Sequence, residues 1–428
     1  MNRIRLFVVS TGLAFAATFP FVADTRANEP VAANAPQWKA TGSFSLKVGY
    51  DSNVFVQDTT PDGAIPGAVR PRHGSMITTT GAALGVDGRV IPALKIAAGY
   101  TLEDSRYQTA SSENNLVHRV SLGLSGSVSG APWTLQSALT AIDGGEVGPT
   151  FGGPGGVAAV GAIPLRDRRA ALIERSSFQL IRTSGRWFVR PVATLYVHDF
   201  FTQQSRAAGY ENYLDRQEWT AGVDFGREMF AGTRFVAGYR YGRQDQLKLY
   251  GVDSPYDSSL QRFLVGLEGT PAPWLRLNLL AGPETRRFGN GTAAGFDPGR
   301  VLLWIDATAV LTPDPRDTCT MAIRRFEQPA FASCSVYEDI TYEISWRRKI
   351  SNALTAGAGC KLYGGDWPAP VNREDWILTP SLQLSYAFNR HGTIELAYGR
   401  DRADSRVPNT AGREYRRELI SGTARYAF

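Results

Sequence analysis

From Thr41 to the C-terminus, apolar and polar residues alternate with a period of two. Phe44, Leu46, Val48 and Tyr50 fall on one face of the first stretch, and Ser45, Lys47, Gly49 and Asp51 on the other. That period predicts a β-strand, whose successive side chains point to opposite faces. The clearest row is Trp376, Leu378, Pro380, Leu382, Leu384, Tyr386 and Phe388, set against Thr379, Ser381, Gln383 and Ser385. The last row runs Ile420, Gly422, Ala424, Tyr426, Phe428, against Ser421, Thr423, Arg425 and Ala427. One face is apolar and bracketed by aromatics, as lipid and its two interfaces require; the other is Gly, Ser, Thr and charge.

The predicted strands run to about a dozen residues, against about five or six in ordinary globular sheets, which argues against a soluble sandwich. Their connections alternate in length. Short ones fall at 88–92, 130–132, 183–185, 229–232, 270–273, 313–316, 351–352 and 389–392. Longer ones fall at 54–73, 108–115, 144–167, 201–213, 248–257, 289–298, 366–373 and 403–413, with a brief one at 330–334. Short periplasmic turns and longer external loops mark outer-membrane barrels. The pattern predicts an all-β, transmembrane, antiparallel up-and-down barrel of about 18 strands, with 16 also consistent.

Composition narrows the class. Mean hydropathy over the 428 residues is −0.20. After the N-terminal region no segment approaches the ~20 apolar residues of a membrane helix, so a helical membrane protein is excluded. Arg3 and Arg5 precede an apolar stretch from Leu6 to Val22, and Thr25-Arg26-Ala27 offers a small-x-small cleavage site. We expect a signal peptide at 1–27, a short periplasmic lead at 28–40 and the barrel at 41–428. An N-terminal anchor helix is the weaker reading, because the apolar run is short and Pro20 interrupts it. Formal charge is +6, of which Arg3, Arg5, Arg26 and Asp24 supply +2. Basic residues are scattered among acids, so no nucleic-acid partner is indicated. Cys319, Cys334 and Cys360 make an odd set with no zinc-site spacing, so no metal or other cofactor is expected.

Residue patterns for catalysis are sparse. His73, His118, His198 and His391 are widely separated. His198, Asp199 and Ser205 lie near one strand end, which admits either a Ser/His/Asp group or a polar barrel rim. The glycine-rich run at 152–156 lacks the strand–helix setting of a phosphate loop and reads as an external loop. The chain is therefore expected not to be an enzyme. Charge is concentrated on the inward face instead. Lys47, Lys95, Arg119, Arg190, Arg234, Arg240, Arg262, Arg276, Arg347 and Arg425 are expected to line a pore, with Glu268, Glu284, Asp306, Glu343 and Glu395. Arg or Lys on the lipid face would cost roughly 2–4 kcal/mol near the midplane, which favours this register. The competing explanation is packing between neighbouring strands, with Asp224 and Arg234 as a candidate pair.

Two segments carry resemblances. The C-terminal row, ending in Tyr426 and Phe428, resembles the terminal strand of bacterial outer-membrane barrels, which implies an assembly signal read by the barrel-assembly machinery. Gly49-Tyr-Asp-Ser-Asn-Val-Phe55 resembles the start of barrels in the second putative β-barrel porin family, and Glu327-Gln-Pro-Ala330 is similar to that group as well. This resemblance implies a porin-like barrel without catalytic residues, in a group that includes conduits associated with extracellular polysaccharide export. The expected function is an outer-membrane channel for polar solutes or exported polysaccharide, with outer-membrane lipid and polysaccharide-export components as partners. The alternative is an enzyme or adhesin that acts through the external loops on a barrel scaffold.

Overall fold

The computed structural model describes residues 38–428 except 57–72, 145–168, 202–203, 205–212, 231, 248–249, 290, 330–335 and 407–414. The expected signal peptide, most of the periplasmic lead, the glycine-rich run, Ser205 and Cys334 lie outside the described residues.

The strands are β1 (Lys39–Asp51), β2 (Ser75–Ile91), β3 (Leu94–Tyr107), β4 (Asn115–Val128), β5 (Ala131–Gly144), β6 (Ala171–Leu180), β7 (Arg182–Ser184), β8 (Trp187–Phe200), β9 (Arg216–Phe230) and β10 (Thr233–Gln246). They continue as β11 (Ser258–Ala272), β12 (Leu275–Phe288), β13 (Gly299–Asp314), β14 (Asp317–Pro329), β15 (Val336–Lys349), β16 (Leu354–Trp367), β17 (Arg373–Ala387), β18 (Gly392–Arg406) and β19 (Tyr415–Ala427). Both β6 and β7 pair with β8, so they form one stave interrupted at Ile181. The result is a closed antiparallel barrel of 18 staves.

Closure joins the two ends of the sheet. β1 pairs with β2 on one side and β19 on the other, with Phe44 opposite Tyr426 and Tyr50 opposite Ile420. Gly42 N–H donates to the Phe428 carbonyl, and Phe428 N–H donates back to Gly42, each at 2.9 Å. A closed ladder leaves no edge, which hydrocarbon demands because it offers backbone groups no partner.

The faces follow the predicted alternation. Phe44, Leu46, Val48, Leu382, Leu396, Ile420 and Phe428 are all exposed on the outside, where a soluble core would have buried them. This exposed apolar belt faces lipid. Aromatics ring it, with Trp219 and Tyr241 centroids 5.8 Å apart and Phe44 and Phe428 5.9 Å apart. The short connections are true hairpins: between β4 and β5, Ser129 (φ 50°) and Gly130 (φ 76°) both take positive φ, the pair a type I′ turn needs. Cys319 and Cys360 are free thiols; Cys360 lies opposite Ile344 and Pro380 on the outward face.

Candidate functional site: the charged lumen

Opposite the belt, polar residues of every stave point into the barrel. They form two unlike walls.

On β8–β13 five inward arginines, Arg190, Arg240, Arg262, Arg286 and Arg300, are locked into ion pairs. Arg190 donates from Nε to Asp224 (2.8 Å) and from Nη1 and Nη2 to Glu268 (2.9 and 2.6 Å). Arg240 holds the second Asp224 oxygen at 2.6 Å. Gly238 makes room for this group, since a Cβ there would collide with Asp224 Oδ1. Arg262 pairs with Glu284 and lies 4.2 Å from the Trp304 ring centroid. Arg286 binds the same Glu284 at 2.6 Å and Gln244 at 2.8 Å, and Arg300 extends the chain through Glu327 to Glu338. The sequence set Arg190, Arg240, Arg262 and Glu284 among pore-lining groups; all four are inward but enclosed in these pairs. The candidate Asp224–Arg234 pair is not formed. Arg190 and Arg240 take both Asp224 oxygens, and Arg234 packs over the Phe188 ring at 5.4 Å. Register decides this: Asp224 lies opposite Gly238, two residues from Arg240 but four from Arg234 along the same face of β10.

Other inward charges, on these strands and elsewhere, meet water. Lys47, Lys95, Arg234, Arg276, Glu343, Arg347, Lys361 and Arg425 are exposed within the lumen. Arg119 bonds Glu103 at 2.7 Å, Asp306 lies 3.9 Å from Arg324, and Glu395 accepts from Gln383 at 2.6 Å. A third group crosses the closing seam. Arg417 of β19 donates to both oxygens of Asp51 of β1 at 3.0 and 2.7 Å, and reaches Asp401 of β18 at 3.7 Å.

Near the ends that carry the long loops, the inner surface changes character. Tyr107, Tyr337, Tyr363, Ile377, Ala403 and Tyr415 are buried in one cluster with Val54, Phe55 and Val56, the residues that follow β1. The hook is set by Asn53, whose N–H donates to Asp51 Oδ1 (2.9 Å) and whose side-chain amide donates to the Arg416 carbonyl (3.2 Å). Val117, Ile142 and Ile173 form a second cluster, Phe200 and Tyr213 a third, and Tyr256, Phe288, Phe296 and Val336 a fourth. Alternation does not report this apolar collar, because 54–73 falls outside the strand pattern and reads as loop. Val54-Phe55-Val56 directly after the strand was its available signal. The inward position of Arg286 was equally readable, two residues past Glu284 on the same face.

The histidines do not assemble a catalytic group among the described residues. His198 is buried, stacked 4.1 Å from Phe200, while Asp199 points out on the opposite face of the same strand. His118 bonds Tyr100 on the outside at 2.8 Å, and His391 bonds the Ala427 carbonyl at 2.8 Å. At the start of β9, outside the strand, burial pushes the Asp215 carboxyl up to about 6; a hydrogen bond from the Phe200 N–H opposes this and the nearby Asp199 charge adds to it.

The arrangement is that of a closed antiparallel β-barrel with a lipid-facing apolar belt and a charged interior. No family model and no curated protein matches the chain. Among solved structures, it is similar to OccAB3 of Acinetobacter baumannii, at 8% identity and TM-score 0.43, covering 91% of this chain and 99% of that one. It is similar also to the outer membrane protein OpdK from Pseudomonas aeruginosa, at 10% identity and TM-score 0.42, covering 91% and 99%. A third is OmpT, an outer membrane protein of Vibrio cholerae, at 12% identity and TM-score 0.37, covering 94% and 100%. Likenesses this remote carry no argument about function. The expectation that the chain is not an enzyme is withdrawn, because enzyme status is not established.

Proposed function

We propose that the chain is an outer-membrane channel for polar solutes, anionic or polyhydroxylated ones above all, with exported polysaccharide as its cargo class. The observation that carries this is the exposure of charged side chains inside a closed barrel. An inward Lys47, Arg276, Arg347 or Arg425 that stays exposed stands in water. Strands ~4.8 Å apart and tilted ~40° place opposite backbone walls of an 18-stave circular barrel about 36 Å apart. Barrels of this size enclose aqueous channels. The exposed set named above holds seven cations and Glu343 alone of the acids, so its field favours anions.

Polarity along the axis supports loading from the periplasm. The buried collar lies at the long-loop ends, taken as external, whereas Lys95, Arg276, Arg347 and Arg425 sit near short-turn ends. The polysaccharide assignment rests on the Gly49–Phe55 resemblance together with this loading direction. Export through a cleavable signal peptide at 1–27, assembly through Tyr426 and Phe428 by the barrel-assembly machinery, and contact with polysaccharide-export components belong to the same reading.

Reversal potential under a KCl gradient tests the charge argument in a planar bilayer. Anion selectivity is expected, and cation selectivity would overturn it. For the cargo, proteoliposomes should release acidic oligosaccharides faster than neutral oligosaccharides of equal length. Equal retention of both would remove the polysaccharide reading and leave the ion channel standing.

A further inference from the structure

The outward face of β18 reads Ile394, Leu396, Tyr398 and then Arg400, Arg402, Asp404, Arg406. That of β19 reads Ala424, Gly422, Ile420 and then Glu418, Arg416. The register sets Tyr398 opposite Ile420, Arg400 opposite Glu418, and Arg402 directly opposite Arg416. Ile394, Leu396 and Ile420 are exposed on the lipid belt, so the arginines follow directly on its last rows. Leu378 of β17, across from Arg402 on the other side, is also exposed, which keeps Arg402 beside apolar surface.

We propose that this rim of β17–β19 binds a phosphate-bearing glycolipid of the outer leaflet. Like charges placed directly opposite across a strand pair are destabilising. Among the described residues Arg402 has a single acidic contact, Asp404 at 3.5 Å, and its side chain stays 62% exposed. Arg416 has no ion-pair partner among the described residues. Arg400 and Arg406 reach Glu418 and Glu374 only at 3.9 and 3.7 Å. A phosphate between Arg402 and Arg416 removes the repulsion and matches the forked, bidentate geometry of guanidinium groups. The same face supplies seats for sugar and acyl carbon. Trp376 is fixed by its indole N–H to Glu374 (2.7 Å), and Tyr50 is exposed on the adjoining β1. Position selects lipid over a soluble partner: a site continuous with the hydrocarbon belt lies in the headgroup plane, where the glycolipid phosphates are. The site does not depend on the channel reading, since it is on the opposite surface of the barrel wall.

The test uses full-length folded protein, extracted in mild detergent and given purified phosphorylated glycolipid, with bound lipid read by native mass spectrometry. Wild type is expected to retain the lipid, and Arg402→Gln/Arg416→Gln to lose at least tenfold in retention. Arg416→Glu provides the second arm. It converts the opposed arginines into an ion pair, so it should fold at least as well as wild type yet lose the lipid. Arg106→Gln/Arg243→Gln, on other staves, should change nothing. Equal retention by wild type and both rim variants would overturn the proposal. So would equal retention of the dephosphorylated glycolipid, equally tight binding of inorganic phosphate alone, or an acidic protein captured through these arginines in place of lipid.

Discussion

Asp51→Asn is the sharpest probe of how the two ends of this sheet are held together. Asp51 is fully buried, and Arg417 keeps only 10% of its side chain exposed. The carboxylate accepts two bonds from Arg417 and one from the Asn53 N–H. The amide leaves a buried guanidinium whose nearest remaining acid among the described residues is Asp401 at 3.7 Å. Breaking a buried pair by removing one partner costs about 3–5 kcal/mol. The Asp401 contact retains part of that, so a loss of about 3 kcal/mol is expected, on the order of a hundredfold in the folded-to-unfolded ratio. Equilibrium urea unfolding of the vesicle-inserted protein, followed by tryptophan fluorescence and by gel mobility, measures it. Asp51→Asn/Arg417→Gln should recover part of the loss, giving a coupling energy above about 1 kcal/mol in the double-mutant cycle. A single-variant loss below about 1 kcal/mol, or strict additivity, would refute the seam argument.

Arg234→Glu should shift the reversal potential toward cations, since Arg234 is exposed in the lumen; Arg240→Gln should leave selectivity unchanged and lower stability by about 1–3 kcal/mol through Asp224, measured in the same two assays. The Asp215 carboxyl titrates at about 6 in the fold, above its ordinary 3.8, so the folded junction binds the proton more tightly than the open chain does. That contribution to stability is present at acidic pH and is lost as pH rises through about 6. Hydrogen exchange at Phe200, corrected for intrinsic rate, should therefore slow on acidification, and Asp215→Asn should flatten the dependence. Phe428→Ala removes the ring packed against Phe44 at the closing strand, and is expected to reduce the assembled barrel in outer-membrane fractions several-fold while purified protein still folds in detergent. Equal amounts in the membrane would count against an assembly role.

Most of the architecture was legible because lipid forces outward positions within the hydrocarbon belt to be apolar. Period two, aromatic ends and alternating connection lengths then locate strands, turns and the closure of Phe44 on Tyr426. Inside the barrel the code is looser, because water, ion pairs and packing all accept a charged residue. Sequence alone therefore placed Arg240 and Arg276 in one class, although Arg240 is locked on Asp224 and Arg276 stands in water. Which arginine takes which carboxylate depends on cross-strand register and on Gly238 leaving space, neither of which alternation reports. The collar escaped for a related reason. Val54, Phe55 and Val56 leave the strand pattern, and their partners Tyr337 and Tyr415 come from staves far away in sequence.

Single-channel conductance of the folded protein in a planar bilayer bears most directly on the central claim of a water-filled lumen. Discrete conductance steps are expected, larger when Val54, Phe55 and Val56 are replaced by Gly-Ser-Gly to release the hook from the collar. No conductance in either protein, with both shown to be folded and inserted, would contradict it.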